Sequence, residues 1–232
     1  RFLEKAETLD KTDPLKRFKD KFVANPSLIY LDGNSLGKLP VKTIETSANI
    51  VENQWGNRLI RSWNEHWIDL SKDIATKIAK IVGAQPDEIF VGDTTSLNLY
   101  KLLFASLAHQ KEKSEIITDD LNFPTDLYII QGLIKQQFKH HTLKVLKSTD
   151  EIFMDTATVS EAINKNTSLI TLSLVSYKSC FLYDMKTINN LAHKNDSLVV
   201  WDLSHAAGAT TIKLNETNAD MAVGCTYKYL NG

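Results

Sequence analysis

Cysteine is scarce in this chain, with only Cys180 and Cys225 among 232 residues, and the two sit in different motifs. That excludes a disulfide framework and favours a reducing compartment. Long hydrophobic runs are missing too: none approaches the roughly 18 residues needed to cross a bilayer. The opening Arg-Phe-Leu-Glu-Lys-Ala-Glu-Thr has no hydrophobic signal core, so a cytoplasmic location and no membrane partner are expected. Neither sign of charge is in excess, since 27 Lys plus Arg face 28 Asp plus Glu. A nucleic-acid partner is therefore not indicated.

Other absences narrow the chemistry. Glycine and proline number 9 and 5, with no Pro/Gly linker, repeat or low-complexity tract, which points to one domain. Neither GxGxxG nor GxxxxGK[ST] occurs, so dinucleotide and P-loop readings have no support. The six histidines show no metal-ligand spacing with carboxylates or cysteines, and no metal is expected. His140-His141, between Lys139 and Thr142, reads as a surface pair.

What is present is a soluble globular composition, 43% apolar and 24% charged. Apolar residues at Leu70, Ile74, Ile78, Ile81 and Val82 mark one helical face, with Gly83 as its C-cap. Further helices are predicted over 97–110, 126–137, 158–164 and 187–194. Short apolar runs at 88–91, 115–118, 142–146, 169–175, 198–201 and 221–225 read as strands. Continuous apolar strands joined by helices predict an α/β fold, a mainly parallel central sheet with helices on both faces.

Ligands of such sheets gather beyond the carboxyl ends of the strands, and four polar clusters fall there. Lys228 follows the run Met-Ala-Val-Gly-Cys and stands between Tyr227 and Tyr229. A lysine at the end of a buried strand is either an unusual surface charge or a nucleophile or base. Asp202 ends Leu-Val-Val-Trp. It is either the N-cap of a following helix or the partner of a protonated ring nitrogen. Thr94-Thr95-Ser96 opens a helix, as a cap or as a phosphate cradle. Asn122-Phe123-Pro124-Thr125-Asp126 is a turn before a helix, or a rim loop whose Phe123 offers a flat face to an aromatic ring.

Together these segments resemble those of the kynureninases. Tyr30-Leu31-Asp32-Gly33-Asn34-Ser35-Leu36-Gly37, Asn122 to Asp126, Asp202-Leu203-Ser204-His205-Ala206 and Tyr227-Lys228-Tyr229-Leu230-Asn231-Gly232 carry the likeness, with Leu59 to Asn64 similar to bacterial members. The resemblance implies a pyridoxal 5'-phosphate enzyme of the aspartate-aminotransferase-like fold. It would hydrolyse L-kynurenine, or its 3-hydroxy form, to anthranilate or 3-hydroxyanthranilate and L-alanine, within tryptophan catabolism and NAD biosynthesis. It implies Lys228 as the Schiff-base lysine, Asp202 as the partner of the ring nitrogen and Tyr227 as a candidate proton donor. Phe123 would stack on the cofactor, with Asp126 and His205 close by. Thr95, Ser96 and Tyr227 would hold the phosphate, Ser173 would touch the cofactor, and Asn34 and Ser35 would face the substrate.

The resemblance also implies a homodimer. Residues 1–40 would form an N-terminal segment and substrate loop, and 41–232 a cofactor-binding large domain that is incomplete at Gly232, with a small C-terminal domain outside the chain. The lysine and Asp-x-x-His-Ala pair is shared with cysteine desulfurases and related transaminases. A second enzyme of that kind, or a non-catalytic fragment, is the alternative. One departure stands out: Cys180, in Tyr177-Lys178-Ser179-Cys180, occupies a place where the family usually has glycine, so the backbone there is expected to differ.

Overall fold

The computed structural model describes residues 1–232. Five parallel strands form one sheet in the order β2-β1-β3-β4-β5: β1 is Glu115–Asp119, β2 Thr142–Leu146, β3 Thr167–Ser173, β4 Leu198–Asp202 and β5 Met221–Val223. The expected architecture is observed. The helices are α1 (Phe2–Thr12), α2 (Val41–Asn49), α3 (Ile68–Val82), α4 (Thr95–His109), α5 (Pro124–Gln136), α6 (Thr156–Ala162) and α7 (Met185–His193). An irregular helical stretch joins α2 to α3. No helix is long and apolar enough to cross a membrane.

Strand periodicity divides the core in two. Ile116, Leu169 and Val200 face one side, packed with Leu99, Leu103 and Leu107 of α4 and Ile130 and Leu133 of α5. Their chain neighbours Ile117, Ile170 and Val199 face the other, with Val159 of α6, Ile188 of α7 and Val82 of α3. Alternation of side chains along each strand is the direct cause. The chain runs from β1 outward to β2, then returns to place β3 on the opposite side of β1. The crevice between the carboxyl ends of β1 and β3 is therefore a topological switch point, where such sheets bind ligands.

Local signals explain most of the boundaries. Gly83 caps α3 in the left-handed conformation at φ 68°, as its position predicts. Asp155 and Asp184 accept from Ala157 N and Thr187 N to start α6 and α7, and Pro124 occupies the first turn of α5.

Two expectations are corrected. Residues 88–91 form no strand: Pro86–Glu88 is a 3₁₀ turn. Ile89 leaves that turn extended, and residues 89–91 pair with no strand of the sheet. Phe90 is consequently 71% exposed. His141 is not on the surface but buried, edge-on to Phe138, with neither ring nitrogen hydrogen-bonded. The turn that leads into β2 carries it inward, a consequence of the α5–β2 connection that composition could not reveal. Burial and the neighbouring His140 lower its pKa.

Residues 1–74 contribute a single buried side chain, Ser62. One piece of this region matters for the site. The Tyr30 hydroxyl donates to the carbonyls of Asp32 and Leu36, and Gly37 N donates to Tyr227 O at 2.8 Å. The 30–37 loop is thereby laid against the lysine segment.

Candidate functional site

The sheet brings Lys228, His205, Asp202, Asp126, Phe123 and Ser173 together at the carboxyl ends of its strands. Lys228 follows β5 and is buried, its Nζ 3.1 Å from His205 Nε2. The same nitrogen lies 5.8 Å from the centre of the Phe123 ring and 5.6 Å from that of Tyr227. The reading of Lys228 as a solvated surface charge is excluded by this burial.

Asp202 ends β4 and is buried, accepting Ser204 N at 2.8 Å. No helix begins there; Ala206 N and Ala207 N both return to Leu203 O in a turn, so the helix-cap reading of Asp202 fails. Burial raises its pKa, against the hydrogen bonds from Ser204 and the charge of Lys228, which lower it. Asp126, in the first turn of α5, is equally buried, and its Oδ2 has no partner. Burial and then the nearby Asp202 push its pKa up to about 8. His205 is brought down to about 4 by burial and by Lys228, and its Nδ1 is likewise buried and unpartnered.

Asp126 thus neighbours Asp202, which in turn neighbours Lys228, with an orphaned carboxyl oxygen and an orphaned imidazole nitrogen beside them. Buried polar groups are rarely left unsatisfied. The set suits an aromatic, hydrogen-bonding ligand.

Around these groups, Asn122 acts as a hub. Its Oδ1 accepts from Ser173 Oγ at 2.6 Å and from Phe123 N at 2.9 Å, and its Nδ2 donates to Thr118 Oγ1 at 3.1 Å. Asn122 thereby fixes Phe123 at the crevice between β1 and β3. Phe123 stands edge-on to Tyr177, 5.2 Å between centroids, and tilted over His205 at 6.3 Å.

At the start of α4, Thr94 is the cap and accepts Leu97 N. That leaves the amides of Thr95 and Ser96 without intrahelical partners. Thr95 Oγ1 donates to Gly224 O at 3.2 Å, which seats the helix start beside the end of β5. The Ser96 side chain is exposed. Tyr227 is 47% exposed, with its pKa raised chiefly by burial.

A cavity of about 590 Å³ opens onto Lys228 and is lined by Asn34 and Gly37 from the N-terminal loop, Tyr177, Lys178 and Cys180, and Tyr229 and Asn231. Asn34 reaches it; Ser35 is exposed and does not line it. A larger concavity, about 730 Å³, lies between the end of α3 and residues 208–213. It gathers no buried polar groups, so the cavity at Lys228 is the candidate site.

Sequence reasoning missed Tyr177 and Tyr229 as wall residues. The aromatic residues flanking the strand ends were the available signal, but nothing local says which way such a ring turns. Cys180 adopts a left-handed φ of 59°, a conformation that favours glycine over a residue with a side chain.

The Aminotransferase class-V family model matches residues 29–232. The chain is 41% identical over 229 residues to a kynureninase from Pseudomonas fluorescens, covering 97% of this chain and 53% of that protein. A kynureninase from Burkholderia mallei is 39% identical over 234 residues, covering 99% and 55%. The chain therefore spans about half the length of these curated relatives. Among solved structures, a C-DES mutant with glycine covalently linked to its PLP cofactor superposes with a TM-score of 0.74 at 15% identity, over 94% of this chain and 56% of that one. The Escherichia coli cysteine desulfurase CsdA gives 0.74 at 16%, over 92% and 54%. At such identities these two structures speak to the fold alone.

Proposed function

The chain belongs to the class-V aminotransferase family, and from that premise we propose that it carries the lysine-bearing part of a kynureninase that uses pyridoxal 5'-phosphate. Its reaction is the hydrolysis of L-kynurenine or its 3-hydroxy form to anthranilate or 3-hydroxyanthranilate and L-alanine. One observation carries the reading: Lys228, buried against His205, neighbours the buried Asp202, beside which Asp126 keeps an orphaned carboxyl oxygen. The kynureninase relatives at 39–41% identity favour this substrate class over that of the desulfurases, whose likeness is of fold.

The residues fit the cofactor. Asp202 would accept from the ring nitrogen and keep it protonated, and Phe123 would cover one ring face. Thr95, Ser96 and the free amides at the start of α4 would receive the phosphate with the helix dipole, and Tyr227 would add a hydroxyl. Asp126, His205 and Ser173 would border the ring. When bound, the cofactor supplies an electron sink for charge that develops beside the amino-bearing carbon of the substrate.

The chain's own residues do the rest. Lys228 would hold the cofactor through its amine and would move the proton at that carbon. Imidazole at His205, unprotonated above about pH 4, can accept a hydrogen bond at Nε2 from the Lys228 amine 3.1 Å away. Tyr227 would donate the proton at the carbon released as alanine, and Asn34, which lines the cavity, would orient the substrate. In this reading residues 1–40 are the segment bearing the substrate loop and 41–232 the cofactor-binding domain of a cytoplasmic homodimer.

The test compares the parent protein with Lys228→Ala by visible absorbance and by anthranilate release from kynurenine. The parent should show the cofactor band and release anthranilate, and the variant should show neither. A band retained in the variant removes Lys228 from its role. A parent that binds the cofactor but turns over another amino acid, leaving kynurenine untouched, replaces the substrate reading.

A further inference from the structure

Between β3 and α7 the chain folds into a short hairpin. Val175 bridges Leu182 in antiparallel fashion, Ser176 N donates to Phe181 O at 2.9 Å, and Tyr183 N donates to Leu174 O at 3.0 Å. Its tip carries Tyr177, Lys178 and Cys180 into the wall of the cavity that opens on Lys228. On the far side of the crevice, the loop after β1 carries Phe123. The Phe123 and Tyr177 rings meet edge-on, 5.2 Å between centroids, but that contact does not tie the two loops together at their roots.

One buried carboxylate does. Asp119, the last residue of β1, is 1% exposed. Its Oδ1 accepts Leu121 N at 3.0 Å, at the root of the Phe123 loop. Its Oδ2 accepts the hydroxyl of Tyr183, at the root of the hairpin. Tyr183 is itself buried, edge-on to Phe181 at 4.9 Å and tilted against Trp201 at 6.1 Å. The ring therefore has no other place to go while the core stays packed. A charged hydrogen bond in such surroundings is short and directional.

We propose that Asp119, acting through Tyr183, is a positioning residue that sets the gap between the Phe123 and Tyr177 rings and thereby the grip of the site on the aromatic part of its substrate. The substrate clause rests on the function proposed above; the latch between the two loops does not. Removing the Tyr183 hydroxyl leaves a buried carboxylate oxygen without a donor, and the hairpin root is the movable partner. Removing the charge as well should let the hairpin settle back.

The experiment uses the cofactor-loaded protein and its Tyr183→Phe, Asp119→Asn and Tyr183→Phe/Asp119→Asn variants. In Tyr183→Phe, KM for kynurenine should rise about tenfold with kcat within about threefold of the parent, the size of loss expected when one buried hydrogen bond to a charge is broken. Amide hydrogen exchange over 174–183 should quicken about tenfold in the same variant while exchange over the sheet strands stays unchanged. The double variant should recover most of both effects. Unchanged KM with unchanged hairpin exchange overturns the proposal. So does exchange that rises throughout the sheet with KM unmoved, which marks a merely structural pair. If the parent leaves kynurenine untouched, the functional reading falls alone, and hairpin exchange in the three variants still decides the latch.

Discussion

Gly37 lies so close to the lysine segment that a methyl group placed on it would stand 2.2 Å from the Lys228 carbonyl oxygen and 2.3 Å from Asn231 Oδ1. The backbone of Gly37 also donates to Tyr227 O. Two stretches about 190 residues apart in sequence thus meet without room for a single carbon atom. Gly37→Ala should push the 30–37 loop off the lysine segment at a cost of about 1–3 kcal/mol, the usual penalty of overpacking. The denaturation midpoint should fall and cofactor affinity weaken together. Unaltered affinity would show that this contact is irrelevant to the site.

Cys180→Gly should stabilise the protein. At φ 59° an L side chain costs about 1–2 kcal/mol that glycine does not bear. The greater freedom of glycine in the unfolded chain returns about half of that. A net gain of about 0.5–1 kcal/mol corresponds to an increase in Tm of roughly 1–4 °C for a chain of this size. Calorimetry on the pair of proteins checks it, and a lowered Tm would refute the strain at this position.

The cofactor-free protein should lose stability as pH rises from 6.5 to 8. Asp126 is held at about 8 by burial and by Asp202, above an unfolded carboxyl value of about 4. A group with a raised folded pKa contributes fully below its unfolded value and loses that contribution as pH climbs to the folded one. Asp119, raised to about 6 by burial, acts in the same sense at lower pH. His205, depressed to about 4, opposes them, but only as pH falls below its unfolded value of about 6.5. Above that, the carboxyl slope stands alone and amounts to about 1–2 kcal/mol across this window. Urea melts at pH 6.5 and 8 should show it, and Asp126→Asn should flatten it. An equal slope in the variant would reassign the effect.

Asp202→Asn should keep the cofactor, seen by its visible absorbance, yet lower kcat about a hundredfold or more, the usual loss when one preorganised electrostatic partner is removed. The amide cannot carry the negative charge that holds a ring nitrogen protonated. Undiminished turnover would take Asp202 out of the mechanism.

Much of this was legible locally. The apolar runs of β1 to β5 and the helical face of α3 follow from period and composition, because burial on both faces of a parallel sheet favours strands that are mostly apolar. Gly83 announced its own cap. Residues 88–91 misled because an apolar run specifies an extended segment, while a strand also requires a neighbour to pair with. His141 misled because a histidine pair beside a lysine says nothing about which ring the next turn buries.

Sequence by itself determined that the sheet is parallel, which side chains end its strands and that a lysine, an aspartate and a phenylalanine stand on one rim. Those properties depend on residues adjacent in the chain. Tertiary structure decided the rest: that Asp126 shares its burial with Asp202, that His205 turns Nε2 toward Lys228, that Gly37 closes on the lysine segment, and that Asp119 reaches Tyr183. Each is a meeting of groups from separate elements, set by strand order and by the desolvation of the crevice as a whole, and no stretch of chain encodes it alone.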